Sequence, residues 1–178
     1  MDWSPDGSSL VYSSKGSLSV LVLTDTNTVA VTHCPLWDDV QTQIKHPEWA
    51  WDGGLWIVYQ TASNIWRVPV QKARGRDICP RLQLNRKEQL TNSNYEDSEP
   101  QWMNVGNLIA FSSRRPLNDS DTSTARRIWA LQPGQNAPRP VVVMPFSIKW
   151  SDWQRVRETP KDQKTRDAIN NARGKGRN

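Results

Sequence analysis

The 178-residue chain is 36% hydrophobic and 23% charged, with a formal net charge of +5, and this is enough apolar content for the core of one ordinary domain. Residues 155–178 hold eight Lys or Arg against three Asp or Glu, while residues 1–154 hold 15 of each sign, so only the tail argues for a polyanionic or acidic partner. The longest apolar runs, VLVL (20–23) and VVVM (141–144), are far too short to cross a bilayer as helices, and residues 1–20 lack the basic start and apolar core of a secretory leader.

In chain order, the first feature is DWSPDGSSLVYSS (2–14): a Trp, a Pro-Asp-Gly turn, then alternating apolar residues at Leu10 and Tyr12. It returns at Trp49 as WAWDGGLWIVY and at Trp102 as WMNVGNLIAFSS, and a cut-off fourth copy begins at Trp150 as WSDW, with Trp-to-Trp spacings of 46, 53 and 48 residues. A Gly follows each Trp by four residues, at Gly7, Gly53 and Gly106. Next comes an apolar strand ending in an aromatic: SLVYSS (9–14), LWIVYQ (55–60) and LIAFSS (108–113). A third strand is predicted over LSVLVL (18–23), NIWRVPV (64–70) and RIWALQ (127–132), and a weaker fourth over TVAVTH (28–33), EQLT (88–91) and PVVVM (140–144).

Asp-Gly between two apolar runs is a strong hairpin signal, because Gly accepts φ > 0 and Asp bonds its own backbone two residues on. That makes turn residues of Asp6 and Asp52. Four short strands per copy form a meander that cannot bury both of its faces alone, so successive copies must stack, which is the logic of a propeller. The ten Trp, against two Phe and three Tyr, suit the space between stacked sheets.

The stretches WSPDGSSLVYSS and QLTNSNYEDSEPQWMNVGNLIAFSSRR (89–115) resemble the WD-like repeats of the TolB-type β-propeller family. The resemblance covers about residues 2–153 and implies an all-β fold: a partial β-propeller of about three four-stranded antiparallel blades (2–48, 49–101, 102–149). Residues 155–178 follow as a basic, polar tail, partly helical over 161–173 or disordered. Three blades fall short of the four to eight of a complete ring. The first copy starts with only Met1 and Asp2 ahead of its Trp, so its leading strand is expected to be missing. The segment SIKWSDW (147–153) is expected to supply it, from the same chain or a neighbour.

The fourth-strand region of the second copy is preceded by a loop, 71–87, with six basic residues and one acid, which reads as solvated surface. The third copy carries a polar loop at 114–127 whose NDSDTS run lacks the glycine and terminal glutamate of an EF-hand. Cys34 and Cys79, each followed by Pro, have no metal or redox spacing and read as two thiols; pairing them requires an oxidising compartment. Only His33 and His46 are available as imidazoles, and no nucleophile elbow, phosphate loop or zinc motif occurs. No catalytic residue, metal or cofactor is therefore expected.

Partner-binding candidates cluster in NYEDSEP (94–100), the loop entering the innermost strand of the third copy: Tyr95, Asp97 and Glu99. Pro47 and Pro100 both precede a repeat Trp by two residues, so His46 is placed as the counterpart of Glu99. Arg115 follows the Phe-Ser-Ser strand and is expected to bond the loop acids. The function expected is a noncatalytic protein–protein interaction module, completed as a ring by another protein or a second copy. Two rivals are the gating propeller of a prolyl-oligopeptidase-type serine peptidase whose hydrolase domain lies elsewhere, and a polyanion-binding accessory subunit acting through the tail. The resemblance implies a bacterial envelope setting.

Overall fold

The computed structural model describes residues 1–25, 30–38, 42–51, 53, 55–103, 107–135 and 137–142. Asp52, the turn at 104–106, the fourth copy at Trp150 and the tail with its expected helix lie outside the described residues. Thirteen strands are described, in three antiparallel sheets, with one 3-10 turn at Leu84–Arg86.

The first sheet runs β1 (Asp2–Trp3), β2 (Ser9–Ser14), β3 (Ser17–Asp25), β4 (Ala30–Trp37) in sequence order. The leading strand expected to be missing is present in short form, because Asp2 and Trp3 pair with Val11 and Leu10. The Ser4 carbonyl accepts the Gly7 N–H at 2.8 Å, and Gly7 has φ 72°, which is the glycine conformation the turn required. Asp6 accepts from the Ser4 and Ser8 hydroxyls and from the Ser8 N–H at 2.7–3.0 Å. These bonds, that of Ser4 foremost, hold its carboxyl down at about 2. The β2–β3 hairpin closes on Lys15 and Gly16, with φ 50° and 89°, the two positive values of a tight primed turn.

The second sheet holds β5 (Lys45–Trp49), β6 (Trp56–Thr61), β7 (Asn64–Gln71), β8 (Arg81–Leu82) and β9 (Glu88–Gln89). It has five strands where four were expected. Its outer edge is broken in two: β8 pairs with Val70 and Gln71, and β9 pairs with Trp66 and Arg67. The 71–87 segment is therefore only partly a solvated loop. The third sheet is β10 (Ser98–Trp102), β11 (Ile109–Ser113), β12 (Arg127–Leu131) and β13 (Arg139–Val142).

Strand alternation sends the two faces of the second sheet to different cores. Ile57, Tyr59, Val68 and Val70 pack with Val11, Leu18, Val20 and Cys34 of the first sheet, together with Trp49. Val58 and Ile65 pack with Trp102, Ile109, Phe111, Trp129 and Leu131 of the third. Each repeat Trp thus fills the interface with the preceding sheet: Trp49 toward the first, Trp102 toward the second. Only 4% of Trp49 and 1% of Trp102 is exposed. At the outer edge Trp37 meets Tyr59 edge-on at 5.8 Å, and the Lys87 ammonium lies over the Trp37 and Trp66 rings at 5.1 and 5.6 Å.

The two cysteines are not separate thiols. Cys34 on β4 and Cys79, in the segment between β7 and β8, form a disulfide with a Cα–Cα distance of 5.5 Å. It staples the outer edge of the first sheet to the second across 45 residues of sequence. Spacing carried no sign of this bond, because the partners meet only when the two sheets stack.

A candidate binding rim where the second and third blades meet

The inner strands β5 and β10 share an irregularity. Pairing of β5 with β6 shifts between Lys45 and Glu48, and pairing of β10 with β11 shifts between Ser98 and Gln101. Each shift opens on a non-glycine residue with positive φ, His46 at 47° and Glu99 at 53°, followed by a buried proline, Pro47 or Pro100. Proline lacks an N–H, so a bulge at that position gives up no ladder donor. The left-handed backbone costs about 1–2 kcal/mol per residue and re-aims both side chains in the same way. The expected equivalence of His46 and Glu99 holds at the level of the backbone.

The two sit close enough to interact. His46 is held below its ordinary 6.5, by desolvation first, while the Glu99 carboxylate pulls the other way. The Glu99 N–H donates to Gln60 Oε1 of β6 at 3.2 Å, which fixes the third blade's bulge against the second. The rim therefore presents an exposed imidazole and a half-buried carboxylate on neighbouring strands.

Behind it, the loop at 93–97 is anchored from below. Asp97 is fully buried, and its N–H donates to the Ser63 carbonyl at 3.0 Å. Its Oδ2 accepts from the Arg115 Nη2 and, at 3.0 Å, from the Ser93 hydroxyl, which itself accepts from Arg115 at 2.9 Å. The guanidinium also lies 5.4 Å from the Tyr95 ring and 5.7 Å from Phe111. Of the candidates named from sequence, Asp97 and Arg115 thus brace the loop, and Tyr95, 42% exposed, is what the brace displays. A cleft of about 560 Å³ opens beside Arg115, between residues 88–92 and the turn at 133–135.

The brace has members that the sequence reading missed. Glu96 pairs with Arg114 at 3.2 Å and with Arg126 at 3.0 Å, and Arg126 also donates to the Ser98 hydroxyl at 2.7 Å. Arg127 pairs with Asp121 at 3.0 Å, and Asp121 accepts from the Leu117 N–H at 2.8 Å. That backbone bond, with a second from Ser123, lowers the Asp121 carboxyl below its ordinary value. The signal was the doubled arginine at both ends of the 114–127 loop: four cations at a hairpin mouth, facing the acids of residues 94–99.

The Leu-Thr step before the loop has a mechanical role. The Ile65 carbonyl accepts from the Leu90 and Thr91 N–H groups at 2.8 and 3.2 Å, and the Ile65 N–H donates to the Thr91 hydroxyl at 2.9 Å. Buried Thr91 thereby replaces a missing ladder partner and turns the chain off the outer edge of the second sheet toward the third.

No family model and no curated protein matches the sequence. Among solved structures, the chain is similar to a putative TolB from Agrobacterium tumefaciens, with 21% sequence identity and a TM-score of 0.51. The similarity covers 78% of this chain and 47% of that one, so this chain spans about half of that structure's length. Three stacked antiparallel sheets, each led by a short inner strand and a turn, superpose on part of that protein; the chain has the fold of successive blades of a TolB-type β-propeller.

Proposed function

We propose that the chain is a noncatalytic protein-binding module whose first blade docks, through its outward face, against a propeller blade of a partner. One observation carries this reading. Trp3 occupies the place in the first copy that Trp49 and Trp102 occupy in the next two, and it is 41% exposed. Its pairing with Leu10 sets it on the face turned away from the second blade, together with Tyr12, Leu21 and Leu23, all partly exposed, and Val31, 52% exposed. An aromatic in the blade-interface position, surrounded by apolar neighbours, fits a surface made to be covered. The rim of His46, Tyr95 and Glu99 adds polar groups for a partner reaching the inner edge. The Cys34–Cys79 bond favours an oxidising compartment for this role.

In a purified sample only another copy can cover the face, so self-association is the test. Light scattering across a concentration series should show wild-type chain associating and Trp3→Glu remaining monomeric. A wild-type protein that stays monomeric throughout, with the same hydrodynamic radius as the variant, sinks the reading.

A further inference from the structure

The blades are joined by a bond that recurs. The Trp49 N–H donates to the Asp2 carboxylate at 3.0 Å, and the Trp102 N–H donates to the Glu48 carboxylate at 3.0 Å. In both cases the acceptor is the residue immediately before the preceding repeat Trp, so each blade offers an acceptor to the backbone of the next. In the third copy that position is Gln101. It pairs with Ala110 and so belongs to the outward face of the third blade, and its side-chain carbonyl can accept in the same way.

That outward face is not bare. Ala110, Ser112, Ile128 and Ala130 share it, by their pairing across β11 and β12. Ile128 is only 7% exposed and the other three are also buried, yet Ala110, Ile128 and Ala130 belong to neither of the two blade-interface cores. A β-branched side chain on an uncovered sheet face would be largely wetted.

We infer that residues 147–153 of this same chain cover that face as the inner strand of a fourth blade, with the Trp150 N–H donating to the side-chain carbonyl of Gln101. The segment follows β13 directly and carries a Trp 48 residues after Trp102, inside the range of the earlier spacings. Five residue steps from Val142 to Ser147 reach about 17 Å, enough to cross three strand spacings totalling about 14 Å. The placement differs from completion of the first blade, whose inner strand is formed by Asp2 and Trp3. Lys149 stands where Asp2, Glu48 and Gln101 stand in the earlier copies. An ammonium cannot accept a hydrogen bond, so the series of these bonds ends at Trp150.

The test is amide hydrogen exchange on the full-length chain, comparing wild type with Trp150→Ala, Gln101→Lys and Gln101→Glu. Trp150→Ala and Gln101→Lys should speed exchange in β11 and β12 by about tenfold or more, with β2 and β3 unchanged; Gln101→Glu, which restores an acceptor, should stay near wild type. Unchanged exchange in Trp150→Ala overturns the placement, and unchanged exchange in Gln101→Lys overturns the bond. Protection of Ile128 that depends on protein concentration assigns the face to a second copy and also overturns the placement. Iodide quenching gives a readout that does not rely on a truncated side chain: against Trp150→Phe, the Trp150 emission should be shielded. Quenching as strong as that lost in Trp3→Phe overturns the inference.

Discussion

The first and third blades are built to one pattern and meet the second blade through the same kind of interface, but their outward faces differ. On the first, Trp3 and Val31 are exposed and Leu10, Tyr12, Leu21 and Leu23 are half-buried. On the third, Ala110, Ser112, Ile128 and Ala130 are buried. The difference shows that a repeat does not determine its own burial. The Trp of each copy is buried by the copy before it, so an identical residue type at an identical register is core in the second and third copies and surface in the first. Energetic cost should therefore follow position in the stack, not position in the repeat.

That statement is easiest to break at the tryptophans, where the largest effect is expected. Truncating a large buried aromatic removes its transfer energy and leaves a cavity, so Trp102→Ala should cost about 3–5 kcal/mol in a denaturant melt, and Trp49→Ala a similar amount. Trp3→Ala, at the same register but largely wetted, should cost less than about 1 kcal/mol when the protein is dilute and unassociated. Equal losses at Trp3 and Trp102 would mean that something already covers the first blade.

A second, smaller effect separates the two ends through the disulfide. Cys34–Cys79 fastens the first blade to the second, and no disulfide among the described residues does so for the third, since the chain has only these two cysteines. Cross-linking across a loop of this size stabilises by about 2–4 kcal/mol, mainly by restricting the unfolded chain. Reduction, or a Cys34→Ser and Cys79→Ser double variant, should lower the melting midpoint and raise hydrogen exchange in β2 and β3 ahead of β11 and β12. Loss of protection in the third blade first would contradict the view that the open end is the weaker one.

How much of this was legible follows the range of the forces involved. The Trp–Gly–aromatic period marked three sheets, because hairpin turns and strand alternation are local. The same period made His46 and Glu99 counterparts, because each precedes a proline at a fixed distance from a Trp. What escaped depends on contacts between sheets. β4 runs on through Pro35 to Trp37, beyond the predicted end at 33, because β4 is an edge strand and its outer side needs no donor. β8 was hidden in a basic loop because two residues suffice to pair with the end of β7. Glu96 meets Arg126 across 30 residues, and Asp97 proved to be a buried brace because Arg115 reaches it from the next strand. Charge at a loop signals that partners are needed; only stacking selects them.

The smallest expected effect lies at the inner edge, where His46 and Glu99 line the join between the second and third blades. Desolvation lowers the His46 imidazole below 6.5, the neighbouring Lys45 and the terminal amine lower it further, and Glu99 opposes them. A base whose pKa is lower in the folded than in the unfolded chain binds its proton more weakly when folded. Its contribution to stability is thus complete above about 6.5 and is lost as pH falls through the folded-state value. Stability should accordingly decline between about pH 7 and pH 5 with a shallow slope, well below the Trp102 effect, because the imidazole is partly exposed and screened. His46→Asn keeps a side chain that tolerates positive φ and removes the titrating group, so urea melts of this variant should lose that slope while keeping the wild-type midpoint near neutral pH. A slope that persists in His46→Asn would place the pH dependence on other groups and leave the second-to-third join indifferent to protonation, in contrast to a chain whose open first blade has no imidazole at the equivalent inner position, where Met1 precedes Asp2.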